Sequence, residues 1–302
     1  MEPDRLKPPG IAHAEPIKIL IEDEWCAEDI IDHCESHKQK YRIVPQKEIL
    51  SMDADDFLSG PFFCSTHAIQ KKLAEKNLSH LVPDNFALME LRFGHGPQFT
   101  LARSLLYTQE QDKPVLPDFY KRTITKTTYS DLNKFTYPYF IKSAGNNKLI
   151  PGTVINNDHE LSELWKIHNI TPTADLELYI SDVVKFNVEY RLFIGNGRLY
   201  ATAYQKGVNS IKVDNDFVKE LLSVCGKKFY CIDVGYIKTV GWAIVEVNPP
   251  FALDDYDIET ETYVQYGVDF WLNEVTPHLV ILDRQVDFAS ANLADGSTAD
   301  AV

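Results

Sequence analysis

The stretch Phe229-Tyr-Cys-Ile-Asp233-Val-Gly-Tyr-Ile237-Lys-Thr-Val-Gly241-Trp-Ala-Ile-Val-Glu246-Val-Asn248-Pro249 carries the reading on which the fold turns. Residues 229–237 and 242–248 are apolar, β-branched and aromatic on either side of Lys238-Thr239-Val240-Gly241, the pattern of two antiparallel strands joined by a short turn. Pairing Ile237 with Trp242 sets Asp233 opposite Glu246. Strand side chains alternate faces with a period of two, so Glu246 and Asn248 point the same way and Asp233 joins them across the hairpin. Two carboxylates and an amide oxygen then converge. Hard oxygen ligands of this kind suit magnesium, which keeps several waters and needs only one or two protein carboxylates beside the phosphates of a nucleotide. The plain alternative is a pair of solvent-facing strand acids. Against it stand the apolar flanks, because an acid inside an apolar sheet is costly unless paired or metal-bound.

A second hairpin lies upstream. Residues 184–194 and 198–205 flank Gly195-Asn196-Gly197, and Asn-Gly is a strong hairpin signal because both turn positions accept positive φ. With Gly195 paired to Arg198, Arg191 faces Thr202, and Glu189, Arg191 and Phe193 share a face with Tyr200, Thr202, Tyr204 and Lys206. Arginine's planar fork suits phosphate oxygens and lysine serves as a point charge; surface ion pairs of Glu189 with Arg191 or Lys206 are the alternative. Further upstream, Tyr139-Phe140-Ile141-Lys142 is a short strand ending in a lysine. It runs into Ser143-Ala144-Gly145-Asn146-Asn147-Lys148, a small-residue loop whose amides could approach phosphates, although the Walker pattern is absent. A turn between strands is the other reading. Residues 149–155 read as the partner strand, with Asp158 as N-cap of the helix that follows.

In order, the pieces are a strand lysine with its loop, a helix, an apolar connector at Leu176-Glu177-Leu178-Tyr179-Ile180, the Glu-Tyr-Arg hairpin and the Asp…Glu-x-Asn hairpin. This order resembles the ATP-grasp superfamily over about residues 120–285, most specifically in Val-Glu-Tyr-Arg-Leu-Phe-Ile (188–194), Ile-Asp-Val-Gly (232–235) and Val-Glu-Val-Asn (245–248). It is similar to the bacterial and phage branch with a Glu-Tyr-Arg strand, related to the eukaryotic cell-division-cycle family that helps assemble a translation initiation factor. The resemblance implies an α+β chain with an ATP-grasp fold, two α+β lobes sandwiching the nucleotide, preceded by a small open-sheet α/β domain. It implies ATP and Mg2+ as cofactors, Lys142 on the α- and β-phosphates, Lys148 at the nucleotide, and Glu177, Leu178, Tyr179 and Ile180 as an adenine-binding hinge. By the same likeness Asp182 is a candidate for the ribose, Arg191 for the γ-phosphate or an acyl-phosphate, Lys206 for phosphate or substrate, and Asp233, Glu246 and Asn248 for magnesium. The hinge departs from the commoner peptide-ligase pattern.

Three activities share such a site. A carboxylate–amine ligase would work through an acyl-phosphate, with Arg191 and Lys206 as catalytic cations and small-molecule or peptide carboxylates and amines as substrates. A nucleotide-binding assembly factor would bind ATP and a protein partner without steady turnover, and an ATP-grasp kinase would phosphorylate a hydroxyl. The ligase is favoured. No Ser/His/Asp or Cys/His arrangement points to acyl-enzyme chemistry instead.

The remaining sequence sets bounds. The 302 residues suffice for two or three packed units. The expected division is a loose lead-in at 1–16, a small α/β domain at 17–119, an ATP-grasp N-lobe at 120–176, a C-lobe with the metal site at 177–288, and a disordered tail at 289–302. Net charge is −14 and no basic stripe is present, which argues against nucleic acid as a partner. Five cysteines, Cys26, Cys34, Cys64, Cys225 and Cys231, have no Cys-x-x-Cys spacing and form an odd set, which points to reduced thiols in a cytoplasmic protein. There is no signal-peptide pattern and no apolar run of about 18 residues, so neither secretion nor membrane spanning is indicated. Glu22-Asp23-Glu24 could meet an amine, or simply be a solvated strand end. His67, His95, His159 and His278 offer no His-x-x-x-His pair and read as surface or capping residues, and Phe93-Gly94-His95-Gly96-Pro97 is a candidate acceptor loop.

Overall fold

The apolar runs read from the sequence become short strands of two kinds, parallel near the N-terminus and antiparallel further along. A computed structural model describes residues 18–23, 27–64, 66–83, 119–144, 149–251 and 256–279. They divide into two units, one holding the described residues up to Ser79 and from Glu259 onward with Phe251, the other those from His80 to Pro250 with Tyr256–Ile258. The expected loops at 93–97 and 145–148, Glu24 of the acidic cluster and Cys26 lie outside the described residues.

In the first unit, β1 (Ile19–Glu22) is flanked by β2 (Tyr41–Val44) and β3 (Phe62–Phe63), both parallel to it. Parallel neighbours need a crossover, and the helix Ala27–Ser36 and the short turns Gln46–Ile49 and Ala54–Phe57 occupy the two connections. Ile19, Leu20 and Ile21 are all buried, the unbroken apolar run that a parallel strand covered on both faces requires. The helix Thr66–Glu75 follows. The same unit takes in the C-terminal helix Thr260–Phe270, which buries Tyr263, Val264, Tyr266 and Phe270. That helix packs beside Ala27–Ser36, with the rings of Tyr263 and Phe63 5.6 Å apart. Residues expected to close the 177–288 lobe thus complete the N-terminal unit instead, because their apolar stripe meets its core.

The second unit carries two four-stranded antiparallel sheets. The first, ordered β4-β7-β5-β6, joins β4 (Ile124–Thr128), β5 (Tyr139–Ser143), β6 (Thr153–Ile155) and β7 (Glu177–Ser181). One face, with Tyr139, Ile141, Ile155, Leu178 and Ile180, packs on Leu164 and Trp165 of the helix Asp158–Ile167. Asn157 caps that helix by accepting from the Glu160 amide at 3.0 Å, and Glu160 accepts in return from the Asn156 amide at 2.9 Å. The cap is therefore Asn157 and not the expected Asp158, whose carboxylate accepts from the Tyr137 hydroxyl at 2.7 Å. Since β7 is an interior strand here, this lobe runs on past the expected boundary at residue 176.

The second sheet, ordered β11-β10-β8-β9, joins β8 (Val188–Gly195), β9 (Arg198–Gly207), β10 (Tyr230–Ile237) and β11 (Gly241–Asn248). Val188, Tyr190, Leu192 and Ile194 of β8, Ile232 and Val234 of β10, and Trp242, Ile244 and Val247 of β11 form one apolar core with Val218, Leu221 and Cys225. The latter three belong to the helix Asn215–Cys225, which Asp214 caps through the amides of Asp216 and Phe217. Gly195 pairs with Arg198, as expected, across a turn in which Asn196 and Gly197 both take positive φ, 50° and 74°.

Candidate functional site

On the face of this sheet turned away from that helix, alternation along β8 leaves Glu189, Arg191 and Phe193. Arg191 sits opposite Asp233 in the β8–β10 pairing. Asp233 sits opposite Glu246 in the β10–β11 pairing, so the cross-strand convergence expected from the sequence is present. The route to it differs from the expectation. Ile237 pairs with Gly241, not Trp242, and Val234 pairs with Ile244, which leaves Val245 as one extra residue before Glu246. Trp242, Ile244 and Val247 all join the apolar core, so the face assignment along β11 changes phase between residues 244 and 247. Strict alternation would have sent Glu246 into that core with Ile244; the bulge at Val245 turns Glu246 and Asn248 to the opposite face.

Bulges shift the neighbouring hairpin as well. Phe193 pairs with Ala201 and Ile194 with Leu199, so Arg191 faces Ala203, one residue beyond the expected Thr202. Tyr190 pairs with Tyr204 and Glu189 with Lys206, leaving Gln205 as a second extra residue. Tyr204 consequently turns away from the charged face and packs against the Tyr190 ring at 5.8 Å. Gln205 takes the place on the site: its Nε2 donates to Asp233 Oδ1 at 2.8 Å.

Charge is paired within this cluster. Arg191 donates to Asp233 through Nε at 2.7 Å and Nη2 at 2.8 Å, a bidentate fork between residues that are 8% and 5% exposed. Asn248 Nδ2 lies 3.1 Å from Asp233 Oδ2 and 3.3 Å from Glu246 Oε1. Lys142, at the end of β5 in the other sheet of the unit, donates to Glu246 Oε2. Lys206 and Glu189 form a further pair at 3.1 Å, and the Arg191 guanidinium lies 4.4 Å from the Tyr256 ring centroid.

The titrations follow from this packing. Burial pushes the Asp233 carboxyl upward, against the bonds and charge of Arg191 and the bond from Gln205. Its two oxygens receive four donors, which only the carboxylate form can accept in full. Burial also works to raise Glu246, but the charge and hydrogen bond of Lys142, with Asn248 and Arg191, outweigh it and hold this carboxyl below the usual range. Burial would lower Arg191, and the Asp233 bond raises it further still, so it stays a cation. Glu189 is raised, chiefly by burial, in spite of Lys206.

Of the residues singled out in the sequence, the structure thus gathers Lys142, Arg191, Asp233, Glu246 and Asn248, with Lys206 alongside through Glu189. Lys148 lies outside the described residues. Glu177, Leu178, Tyr179 and Ile180 are not a free connector: Leu178, Tyr179 and Ile180 pair with β4 on one side and β5 on the other. Leu178 and Ile180 are buried in the core of the first sheet and Tyr179 in that of the second, while Glu177 makes an exposed ion pair with Lys126 at 3.0 Å. Asp182 accepts from the Thr123 amide at 2.9 Å. Asp182 continues this pairing, its own amide donating to the Thr123 carbonyl at 3.2 Å.

The donor set fits a hard divalent cation. The Asn248 amide lies within hydrogen-bonding distance of both carboxylates, and its rotation would present oxygen in place of nitrogen. Among the described residues no three His, Cys, Asp or Glu side chains group together, so no closed site of the structural zinc kind is built there. His33, on the helix Ala27–Ser36, and His37, just past its end, do stand four apart, a spacing overlooked in the sequence, with rings stacked 4.2 Å apart. The described cysteines, Cys34, Cys64, Cys225 and Cys231, are buried free thiols. No helix among the described residues is long and apolar enough to cross a membrane.

Comparison with known proteins bears on this arrangement. No curated protein matches the chain. The RimK domain protein ATP-grasp from Sphaerobacter thermophilus superposes over 85% of this chain and 100% of its own, with 11% identity and a TM-score of 0.51. The D-cycloserine synthetase DcsG does so over 84% and 99%, with 10% identity and a TM-score of 0.50. Residues 119–266 match a family described as an ATP-grasp domain, family 2 of its clade, a span that holds both sheets and every residue of the charged cluster. Over residues 119–266 the chain carries a domain of the ATP-grasp superfamily.

Proposed function

We propose that this protein is an ATP- and magnesium-dependent carboxylate–amine ligase that works through an acyl-phosphate. The observation that carries the reading is the convergence of Asp233, Glu246 and Asn248 on one sheet face with Arg191 and Lys142 at their side. Asp233, Glu246 and Asn248 would hold magnesium, which supplies charge neutralisation at transferring phosphate oxygens. Lys142, paired with Glu246, would give its ammonium up to phosphate, and Lys206, on an exposed stem, would reach phosphate or substrate from the opposite edge. Glu177, Leu178, Tyr179 and Ile180, on the strand that leads from the first sheet of the unit to the second, would form the adenine hinge, with Asp182 at the ribose. Catalysis in such a site is positioning and electrostatics, which suits a cluster without a nucleophile. Small-molecule or peptide carboxylates and amines are the expected substrates.

One observation favours a second reading. The Arg191 fork is committed to Asp233 on both of its bonded nitrogens, so it reaches a γ-phosphate only by giving up a buried pair. A nucleotide-binding assembly factor, holding ATP and a protein partner without steady turnover, would leave that pair in place.

Calorimetric titration of ATP with and without magnesium, on wild type and Glu246→Gln, tests the shared site. Magnesium-dependent binding lost in the variant is the expected result; equal binding by both proteins would remove the metal assignment. Phosphate release that needs both a carboxylate and an amine then identifies the ligase, whereas ATP binding without release under any such pairing identifies the assembly factor.

A further inference from the structure

Arg122, two residues ahead of β4 and part-buried, plays no role in the ligand readings above. Its Nη1 donates to the Ile244 carbonyl at 2.7 Å and to the Tyr120 carbonyl at 3.2 Å, and its Nη2 donates to the Val245 carbonyl at 2.9 Å. In a regular strand successive carbonyls point to opposite edges, so a single guanidinium reaches two consecutive ones only where the alternation breaks. Ile244 and Val245 are the residues at the break, since Val234 faces Ile244 and Asp233 faces Glu246 with Val245 left over. The Ile244 amide is held too, donating to the Phe119 carbonyl at 2.7 Å. The guanidinium itself lies 5.7 Å from the Tyr120 ring centroid and 5.6 Å from that of Phe186. Three of these bonds therefore fix the backbone at the one point where β11 changes phase.

We propose that Arg122 is a positioning residue: its two-carbonyl grip holds the β11 bulge, and the bulge aims Glu246 and Asn248 at the cation site. The inference rests on the metal reading of those residues. It also separates Arg122 from the neighbouring cations Lys121 and Lys126, whose point charges have no fork to span two carbonyls.

The test compares wild type, Arg122→Lys, Arg122→Gln and Glu246→Gln. Three quantities are read on each: the magnesium concentration at half-maximal ATP binding, amide hydrogen exchange across residues 244–248, and the melting temperature. Lysine keeps the charge and loses the fork. The expected result for Arg122→Lys is a rise of roughly tenfold in the magnesium midpoint, the size typical of residues that orient metal ligands. Faster exchange at 244–248 should accompany it, with metal-free ATP affinity and melting temperature close to wild type. An unchanged midpoint in Arg122→Lys, where Glu246→Gln does shift it, would overturn the proposal. If Glu246→Gln also leaves the midpoint unmoved, the metal reading falls by itself, and the grip on the bulge is judged by exchange alone, with unaltered exchange in both Arg122 variants overturning it. A lowered melting temperature in both without a magnesium effect would assign Arg122 to plain stability and overturn the positioning role.

Discussion

Asp233 draws four donors from three side chains on three different strands, Arg191 on β8, Gln205 on β9 and Asn248 on β11. A carboxylate this buried survives as an ion only because those donors replace its water. Arg191→Ala strips half of them and leaves the charge uncompensated, for which a loss of about 3–5 kcal/mol is expected in urea denaturation. The paired change Arg191→Met with Asp233→Leu removes both ions and should regain most of that stability while abolishing magnesium-dependent ATP binding. If the double variant were no more stable than Arg191→Ala, uncompensated charge would not be the cause. Glu246 makes a prediction of defined sign. Lys142 holds its folded-state carboxyl below the usual range, so the unfolded chain binds this proton more tightly. Its contribution to stability is then complete above the ordinary glutamate value, about 4.3, and vanishes as pH falls through the lower folded value. Urea midpoints followed on acidification should fall less steeply in Glu246→Gln than in wild type.

At the scale of elements, the strands and turns were open to sequence reading while their bulges were not. Asn196-Gly197 fixed one hairpin turn, and the β-branched runs fixed all four strands of the second sheet, because turn chemistry and apolar periodicity are local. The pairing of Asp233 with Glu246 was also read correctly, though through a register at Ile237 that the structure does not have. A bulge is one extra residue with no composition of its own, and Val245 is indistinguishable in type from Val247. For the same reason Gln205 escaped notice and Tyr204 was assigned to the wrong face. Arg122 escaped because it acts across more than a hundred residues of chain on backbone atoms, for which side-chain motifs carry no signal. Deleting Val245 restores strict alternation in β11 with Glu246 directly after Ile244, which keeps Glu246 and Asn248 on the site face and Val247 in the core. The deletion should therefore retain magnesium-dependent ATP binding, as should Val245→Ala, while its melting temperature falls because it takes away one of the two carbonyls that Arg122 holds. A deletion variant that folds and no longer binds would show that residue count alone does not set the face.

For the whole molecule, the structure closes the first unit with sequence from the far end of the chain. The three strands β1, β2 and β3 with their helices bury Phe63, which meets Tyr263 from the helix Thr260–Phe270. The sequence offered no hint of this partnership, since amphipathic spacing shows that a helix has an apolar stripe and not which core receives it. A chain truncated before Thr260 should therefore lose the cooperative melting of the N-terminal unit, seen as early exchange of the β1 amides. Retention of wild-type protection in β1 would refute that dependence.

β11 is the outermost strand of its sheet, eight residues long and almost wholly apolar. An open edge of that composition is a template on which a second chain can add a strand, the first step of ordered aggregation. Here the outward-facing groups of Ile244 and Val245 are already taken by Phe119 and Arg122, and the bulge kinks the strand at the same place. The irregularity that turns Glu246 and Asn248 to the charged face also makes this border of the sheet a poor seed for self-association.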